Sequence, residues 1–336
     1  MTSLFLIYAY WHLAFLSLRP VESFSPCNRD GDIQFTDSGP VYVQGKSNLI
    51  IENLLIRDAP GNAIELRDCN NITVRNCKVL NSRGEAVIIY NSSDMEVRDC
   101  YFENVRTGVY AVSSRGVKVR HNECMNVRGP IPRGQMVQFD KVSGPGNEIS
   151  YNYALNDPEN ANPEDVINLF LSGGTEAEPL LVTNNFISGG GPSESGGGIM
   201  CGDGGDRSEY IRVQGNVLVN PGQYGIAVVS GRHITVTSNL VYSRREPWSN
   251  VGIYCWSEKA KFFEHVQVRD NDVYWISKSG SGNHGWLAPD VQGLVAGWNT
   301  NRFGRLIRLD RLKAPTECGI TSWNGPLKSR SAGSVP

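Results

Sequence analysis

The chain has 336 residues, of which 40% are apolar, and its formal net charge is -2 at pH 7. This apolar content is sufficient for a buried core and argues against wholesale disorder. Because the charges are nearly balanced and form no long acidic or basic block, the composition gives no support for a nucleic-acid partner. The 36 glycines indicate many turns between short strands.

The first 23 residues contain an apolar run of signal-peptide length, followed by Arg19, Pro20 and small or polar residues. His12 interrupts the run and no basic residue precedes it, so a buried N-terminal cap is the alternative. We predict a signal peptide over residues 1–23 and therefore a secreted or periplasmic protein. No other segment approaches the roughly 20 apolar residues of a membrane span, so we expect no membrane association after signal removal.

A four-residue motif recurs along the chain from residue 50 onwards. It reads VRNC at residues 74–77, VRDC at 97–100 and VRHN at 119–122, and it returns at intervals of 22 to 33 residues. Related tetrapeptides end at Asn53, Asn152, Asn185, Asn216, Asn239 and Asn271. Self-similarity with such a period is the signature of stacked structural repeats.

Each repeat contains two short segments in which apolar and polar residues alternate, as in half-buried strands. One segment includes the motif, and the other precedes it, as in AIEL at 63–66, AVII at 86–89, GVYA at 108–111 and GIAV at 225–228. The preceding segment has apolar residues at alternate positions in eight repeats, namely Ile64/Leu66, Val87/Ile89, Val109/Ala111, Val137/Phe139, Ile167/Leu169, Ile199/Cys201, Ile226/Val228 and Ile253/Cys255. Because a repeat of this size cannot bury its own apolar side, we predict that the repeats stack and share one core.

The asparagine that ends most copies of the motif also has a predicted role. An Asn that turns inward at a bend can hydrogen-bond backbone groups and the Asn of the next coil. We expect Cys77 and Cys100 to occupy the same column as small apolar substitutes.

With these repeats, residues 35–300 resemble the right-handed parallel β-helix proteins of the pectin-lyase-like superfamily. The resemblance implies an all-β, single-domain right-handed parallel β-helix, or solenoid, of about nine to ten coils. We expect an N-terminal cap over residues 24–40, the β-helix over 41–300, and a C-terminal cap and tail over 301–336. The superfamily includes lyases, hydrolases, epimerases and non-catalytic members, so the fold does not fix the chemistry. The DD/HG/RIK, DPHE and WiDH signatures of its better-known enzymes are absent, and no catalytic residue is carried over.

The longer repeats carry insertions at recurring places. They cover residues 128–134, 157–165, 189–197, 244–250 and 277–286, with two smaller insertions at 172–179 and 202–209. Since the strands must keep register, we expect these insertions to form loops on two neighbouring corners of the stack. The loops would wall the strand face between them and make it a groove.

The side chains predicted to point outward on that face include aromatic, Met and Gly residues, which is typical of a binding surface. We assign to this outward set Met136, Val166, Gly198, Gly225 and Gly252, among others. Aromatic faces suit sugar rings, so we interpret the face as an exposed ligand groove. The alternative is that the loops fold over the face and bury it.

Two groups of polar residues are candidates for chemistry. The catalytic candidates are Asp165, Glu164, Arg133, Arg244, His284 and Asp203, and the candidates for substrate contact are Tyr110, Gln138, Asp140, Asn168, Phe170, Arg245, Tyr254 and Trp256. Carboxylates one or two coils apart would be separated by roughly 5 or 10 Å, which brackets the two geometries of glycosidases. Cleavage by β-elimination instead needs a cation or an Arg/Asn cluster beside a uronate carboxylate and a Lys, Arg, His or Tyr base. For any single residue, a solvated surface charge is the alternative.

The cysteines indicate packing rather than a metal site. Cys77, Cys100, Cys124, Cys201 and Cys255 fall at inward positions, and the spacing of the cysteines matches no zinc site. The pairing of the remaining three stays open; these are Cys27, Cys69 and Cys318. No cofactor is indicated with certainty, although Ca²⁺ could complete the groove; the GDGGD stretch at 202–206 lacks the full pattern of a calcium loop.

These observations lead to a hypothesis of a secreted carbohydrate-active protein that binds a polysaccharide or oligosaccharide. Our leading interpretation is a polysaccharide lyase that cleaves a uronate-containing polymer by β-elimination. The alternatives are a glycoside hydrolase in the same groove, a non-catalytic glycan-binding or adhesion module, and a structural stack that binds nothing.

Overall fold

The structure, a computed structural model, describes residues 34–205, 208–257 and 262–313. The predicted signal peptide, Cys27, Cys318 and most of the C-terminal tail lie outside these residues. Within them the chain winds through three parallel sheets, and successive coils add one strand to each sheet in turn. The prediction of an all-β, right-handed parallel β-helix is confirmed.

The three sheets are named here in the order in which the chain reaches them. In the described residues, the first sheet contains Thr36–Ser38, Leu54–Arg57, Lys78–Leu80, Tyr101–Glu103, Glu123–Met125, Tyr153–Leu155, Phe186–Ser188, Val217–Val219, Leu240–Ser243, Asp272–Trp275 and Arg302–Phe303. The second sheet contains Val41–Gln44, Ile64–Arg67, Glu85–Tyr90, Thr107–Val112, Val137–Asp140, Ile167–Phe170, Ile199–Asp203, Tyr224–Val228, Val251–Cys255 and Gly285–Leu287.

The third sheet contains Ser47–Glu52, Asn70–Arg75, Ser93–Arg98, Arg115–Arg120, Glu148–Ser150, Leu180–Thr183, Glu209–Gln214, Gly231–Thr237, Val266–Arg269 and Val295–Ala296, with Phe263–Glu264 paired to the strand Gly231–Thr237. Three single turns of 3-10 helix lie near the C-terminal end of the described chain, at Pro289–Val291, Trp298–Thr300 and Leu309–Arg311.

Each coil has three strands rather than the two predicted from the sequence. The segment around VRNC, interpreted as one strand, divides into Asn70–Arg75 in the third sheet and Lys78–Leu80 in the first. The chain bends between them because Asn76 adopts a left-handed conformation with φ of 50°, which Asn tolerates better than most residues.

The apolar residues predicted to point inward do fill the core. Side chains such as Ile64, Val87, Phe139 and Ile226 are fully buried in one cluster that runs along the stack. All six cysteines of the described residues are buried and unpaired, in agreement with the packing role predicted for five of them.

The predicted asparagine ladder is confirmed. The side-chain amide nitrogen of each Asn donates to the side-chain oxygen of the next at 2.8–3.0 Å, through Asn122, Asn152, Asn185, Asn216, Asn239, Asn271 and Asn301. Asn53 is not part of this column, because strand pairing aligns Ile51 with Val74 and therefore places Asn53 beside Asn76. The alignment of the first repeat was wrong by one residue.

The chain that follows the last strand turns back along the outside of the first sheet. Ile307 and Leu312 are buried there in a cluster with Tyr153, Phe186, Val217 and Val219. The carboxylate of Asp272 accepts hydrogen bonds from Arg302 and, at 2.7 Å, from Arg311. This C-terminal segment is therefore fixed to the stack by apolar packing and by ion pairs of two half-exposed arginines with the buried Asp272 carboxylate.

Candidate functional site

The outer side of the second sheet is where the sequence predicts a groove. One column of outward side chains contains Tyr42, Glu65, Ile88, Tyr110, Gln138, Asn168, Met200, Ala227, Tyr254 and Trp286. A second column contains Gln44, Arg67, Tyr90, Val112, Asp140, Phe170 and Asp203. We call these two columns, together with Trp256, the second-sheet face.

The residue directly before the first inward residue of each second-sheet strand was predicted to point outward, and this prediction was wrong. Met136 and Val166 belong to the core cluster, and a Cβ on Gly198 would lie 2.4 Å from the side chain of Leu218 inside the stack. The chain places two consecutive residues inward at this point, for example Val166 and Ile167. Strict alternation fails there, and the residue just before the pair, such as Asp165, points outward instead.

The second-sheet face is buried in its middle and open at its C-terminal end, so the prediction of a wholly exposed strip was wrong. Gln138 and Asn168 are each 5% exposed, whereas Trp256 and Trp286 are 45% and 47% exposed. In the middle, Gln138, Asn168 and Asp165 are buried and bond to one another, whereas Asp203 beside them stays partly exposed.

The inserted loops form a wall along one corner, as predicted. Loop 128–134 packs against loop 157–165, since a Cβ on Gly134 would lie 3.0 Å from the Glu164 nitrogen. Loop 189–197 packs on the other side, where a Cβ on Gly191 would lie 2.7 Å from Pro163. Glu164 joins two of these loops by accepting hydrogen bonds from Ser193 at 2.8 Å and Ser195 at 2.6 Å. Its carboxylate therefore holds the wall together.

Two carboxylates and two amides meet in the middle of the second-sheet face. The side-chain nitrogen of Asn168 donates to Asp165 at 2.8 Å and to Asp203 at 2.9 Å. The side-chain nitrogen of Gln138 donates to the Asn168 oxygen at 3.0 Å and so fixes the orientation of that amide. Because the two hydrogens of one amide nitrogen diverge, the bonded oxygens of Asp165 and Asp203 lie about 5 Å apart. We call Asp165 and Asp203 the carboxylate pair.

Asp165 is the buried member of the pair. It is 5% exposed, and it also accepts hydrogen bonds from the Tyr224 hydroxyl and, at 3.2 Å, from the Gly197 backbone nitrogen. Burial raises the pKa of Asp165 to about 7, since it outweighs the opposing effect of the hydrogen bonds from Tyr224 and Asn168. The carboxyl is thus poised to give or take a proton near neutral pH, whereas Asp203 is only half-buried.

An aromatic group extends from the pair towards the open end. Tyr224 contacts Tyr254 edge-on with ring centres 5.3 Å apart, and Tyr254 contacts Trp286 at 6.5 Å. Trp256 and Trp286 offer exposed ring surface beside them. Sequence reasoning missed Tyr224 and Trp286; Tyr224 occupies the same outward position before its strand as Asp165, and that recurrence could have revealed it.

A third group lies two coils from Asn168 in the N-terminal direction. The Arg133 guanidinium lies 4.2 Å above the Tyr110 ring and donates to the Tyr110 hydroxyl at 3.0 Å. That hydroxyl donates to Asp140 at 3.1 Å, and Lys141 pairs with Asp140 at 3.2 Å. Burial raises the pKa of Tyr110 to about 12 although Arg133 opposes the shift. Phe170 borders this group, with the Lys141 ammonium 5.8 Å from its ring centre.

The remaining candidates are not brought to the carboxylate pair by any contact. Arg244 pairs with Glu246 at 2.6 Å, and Arg245 donates to the backbone oxygen of Lys278 at 2.9 Å. The His284 ring accepts a hydrogen bond from the backbone nitrogen of Trp275 at 3.0 Å, on the first-sheet side of its loop. Burial lowers the pKa of His284, so the imidazole is neutral at pH 7.

Among the described residues, no cluster of three or more His, Cys, Asp or Glu side chains is arranged to hold a metal ion. A calcium requirement therefore stays a prediction. No helix in the described ranges is long and apolar enough to cross a membrane.

Comparison with known proteins supports the fold. A family model described as "Right handed beta helix region" matches residues 39–161. The solved structures with similar architecture include PfbA, a surface adhesin of Streptococcus pneumoniae, with a TM-score of 0.50, 14% identity and coverage of 74% of this chain. The Dettilon tailspike protein gives a TM-score of 0.47, 12% identity and 76% coverage, and an alginate lyase in complex with G6 gives 0.44, 15% and 76%.

The chain spans 63%, 62% and 58% of the lengths of these three proteins, respectively. No curated protein sequence matches it. The resemblance to right-handed parallel β-helix proteins is confirmed, and at these identities the comparison concerns the fold alone.

Proposed function

We propose that this is a secreted carbohydrate-active protein that binds a polysaccharide or oligosaccharide on the second-sheet face and hydrolyses a glycosidic bond at the carboxylate pair. The observation that carries the proposal is the shared hydrogen bonding of Asp165 and Asp203 to one amide nitrogen, at 2.8 and 2.9 Å. Retaining glycosidases place their two carboxyl groups about 5–5.5 Å apart, and ideal hydrogen-bond geometry at one amide nitrogen would separate the two bonded oxygens by a similar distance.

The two carboxyl groups have the different environments that this reaction requires. Asp165, with a pKa raised to about 7, carries the proton that the leaving glycosidic oxygen takes up. Asp203 attacks the anomeric carbon as a carboxylate and forms a glycosyl ester. Asp165 then removes a proton from the water that hydrolyses this ester, so both groups return to their starting states.

The carbohydrate assignment rests on the aromatic side chains beside the pair. Tyr254, Trp256 and Trp286 present apolar ring faces with polar edges, a combination that suits the faces and hydroxyl groups of sugars. The flanking wall of loops favours a chain-like ligand that runs along the stack.

The test is a reducing-end assay on a panel of polysaccharides, with NMR of the first product to read the anomeric configuration. We expect hydrolysis with retention, and a loss of at least about 100-fold in Asp203→Asn. Inversion would contradict the role of Asp203 as a nucleophile. Asn160→Asp, in an exposed part of loop 157–165, is a control that changes charge away from the pair.

A second candidate, β-elimination of a uronate polymer, is favoured by the group around Arg133. The guanidinium pairs with no carboxylate in the described residues, and the Tyr110 hydroxyl at 3.0 Å could act as base. We place this candidate second because the pKa of Tyr110 is raised to about 12, which opposes proton abstraction at neutral pH. The ultraviolet absorbance of an unsaturated product distinguishes the two reactions.

A non-catalytic adhesion module is the remaining alternative, since PfbA is a surface adhesin. It predicts binding of a glycan by the wild-type protein with neither reducing ends nor unsaturated product.

A further inference from the structure

We propose that the preferred glycan carries an anionic group on the sugar unit beside Arg133 and neutral units over the carboxylate pair and the aromatic end. This inference rests on the proposed function and specifies its substrate class: a heteropolysaccharide with acidic units separated by neutral ones, rather than a polymer of uronates alone.

Arg133 has the unused capacity to bind an anion. A guanidinium has five N–H donors. The described contacts of Arg133 use two of them, for the Tyr110 hydroxyl at 3.0 Å and the Pro132 backbone oxygen at 3.2 Å. The Tyr110 ring below it, with its centre 4.2 Å away, holds the planar guanidinium in place. The remaining donors match a carboxylate, which such a planar fork binds through two parallel hydrogen bonds.

Among the three charged side chains of this group, Asp140 pairs with Lys141, and Arg133 has no carboxylate partner among the described residues. Asp140 is already occupied by Lys141, at 3.2 Å, and by the Tyr110 hydroxyl. Arg133 is half-buried, so an ion pair there is less screened than one on the open surface.

The rest of the second-sheet face favours neutral sugar units over anionic ones. From the coil of Asn168 to the last strand, its outward positions hold amide, carboxylate, apolar and aromatic side chains and no cation, namely Asn168, Phe170, Met200, Asp203, Ala227, Tyr254, Trp256 and Trp286. Arg244 and Arg245 occupy a wall loop at that end, but their described hydrogen bonds go to Glu246, Asn220 and the Lys278 backbone. A sugar carboxylate over this region would lie beside the carboxylate pair or apolar rings. No cation there would offset the cost of removing its charge from water.

The spacing fixes where the acidic unit lies. The Arg133 guanidinium lies over Tyr110, whose strand is two strands from that of Asn168 and three from that of Asp203. It therefore lies roughly 10 to 15 Å along the stack from the carboxylate pair. A polymer with a carboxylate on every unit would place one carboxylate beside Arg133 and others over the carboxylate pair and the aromatic end. Only the first of these would meet a cation.

The experiment measures binding by calorimetry, with Asp203→Asn used so that substrate is consumed too slowly to disturb the measurement. The probes are gellan, xanthan and hyaluronan, each in native form and after chemical reduction of its carboxyl groups, together with polygalacturonate and alginate. We expect the tightest binding from a native heteropolysaccharide and a loss of at least about tenfold on carboxyl reduction. Adding Arg133→Gln should weaken binding of the native polymer by a similar factor and leave binding of the carboxyl-reduced polymer unchanged.

Arg128→Gln is the matched control, since Arg128 is an exposed arginine of the same loop. The inference is overturned if Arg133→Gln weakens native and reduced polymers equally, or if polygalacturonate, alginate or a reduced polymer binds best. In those cases binding persists and the proposed function stands. If no polymer binds the wild-type chain or the variant, the proposed function fails and the inference fails with it.

Discussion

Asp165 and Asp272 are both buried aspartates on the outside of the β-helix, at 5% and 2% exposure, yet their protonation behaviour is opposite. The pKa of Asp272, on the first sheet, lies below its ordinary value because Arg302 and Arg311 outweigh the effect of burial. Asp165, on the second sheet, has only neutral donors and two neighbouring carboxyl groups, Glu164 and Asp203, and its pKa is raised to about 7.

The difference is between a buried carboxylate that pairs with two cations and a buried carboxyl group that has none. A carboxylate matched by two guanidinium groups stays ionised and fixes the C-terminal segment. A carboxyl that is buried without a cation costs stability when it ionises, and such a cost is retained where a proton must be exchanged. Four predictions test this contrast.

The largest expected effect is on the pH dependence of stability. Because the folded-state pKa of Asp165 is raised from 3.8 to about 7, the folded protein holds this proton while the unfolded chain has lost it. The contribution of Asp165 to stability should therefore be full below about pH 4 and fall on the order of 3 kcal/mol as the pH rises to about 7. Urea unfolding from pH 4 to 8 measures it, and the decline should disappear in Asp165→Asn.

The second prediction compares how substitutions at the carboxylate pair and at Asp272 affect glycan hydrolysis. Asp203→Asn should lower glycan hydrolysis by at least about 100-fold with little change in stability, because Asp203 is half-buried and is the nucleophile of the proposed reaction. Asp272→Asn should leave the initial rate within about twofold, since this residue faces the first sheet's outer side. Equal losses in both variants would mean that the effect is one of folding.

A third effect concerns the C-terminal segment. Asp272→Asn should reduce the free energy of unfolding by about 2 kcal/mol at pH 7, a value discounted because the two arginine side chains are half-exposed. The lowered pKa of Asp272 gives stability that is present above the unfolded-state pKa and is lost as the pH falls through the folded-state value. The gap between variant and wild type should therefore close as the pH falls below the unfolded-state pKa and through the lower folded-state one. Asp290→Asn, an exposed site, should show no such gap.

The smallest effect comes from giving Asp165 the cation that it lacks. Gln138 bonds to Asn168, so a Gln138→Lys change brings an ammonium close to the carboxylate pair. The pH at which stability declines should move down by about one unit. Ile131→Lys adds the same charge at an exposed loop position and should leave the midpoint in place. An unmoved midpoint in Gln138→Lys would assign the titration to another group.

The sequence predicts what is periodic in this molecule and misses what departs from the period. The inward apolar positions and the asparagine ladder follow from repetition, since each coil makes the same contacts as the next. Alternation fails at the entry to the second-sheet strands, where Val166 and Ile167 both point inward, and the assignment of Met136 and Val166 to the outside was therefore wrong.

The candidate site was predicted only in part for the same reason. Asp165, Asn168 and Asp203 could be proposed because they lie on adjoining coils in one loop-walled region. Tyr224 bonds to Asp165 across 59 residues of sequence, and its ring passes so close to Gly197 that a Cβ there would lie 2.6 Å from it. The buried hydrogen bonds of Asn168 likewise include Asp165 of loop 157–165, and no alternation pattern encodes how that loop packs against its neighbours.

The asparagine ladder also bears on how a protein of this kind changes length. Every Asn between the two ends of the ladder donates to one neighbour and accepts from the other, so an additional coil with Asn at that position would find both partners already in place. Duplication of a coil-length stretch of the gene could thus extend the binding surface by one strand spacing, about 4.8 Å, while every older hydrogen bond keeps its type. Growth by whole coils would let the number of sugar units in contact evolve separately from the chemistry at Asp165 and Asp203.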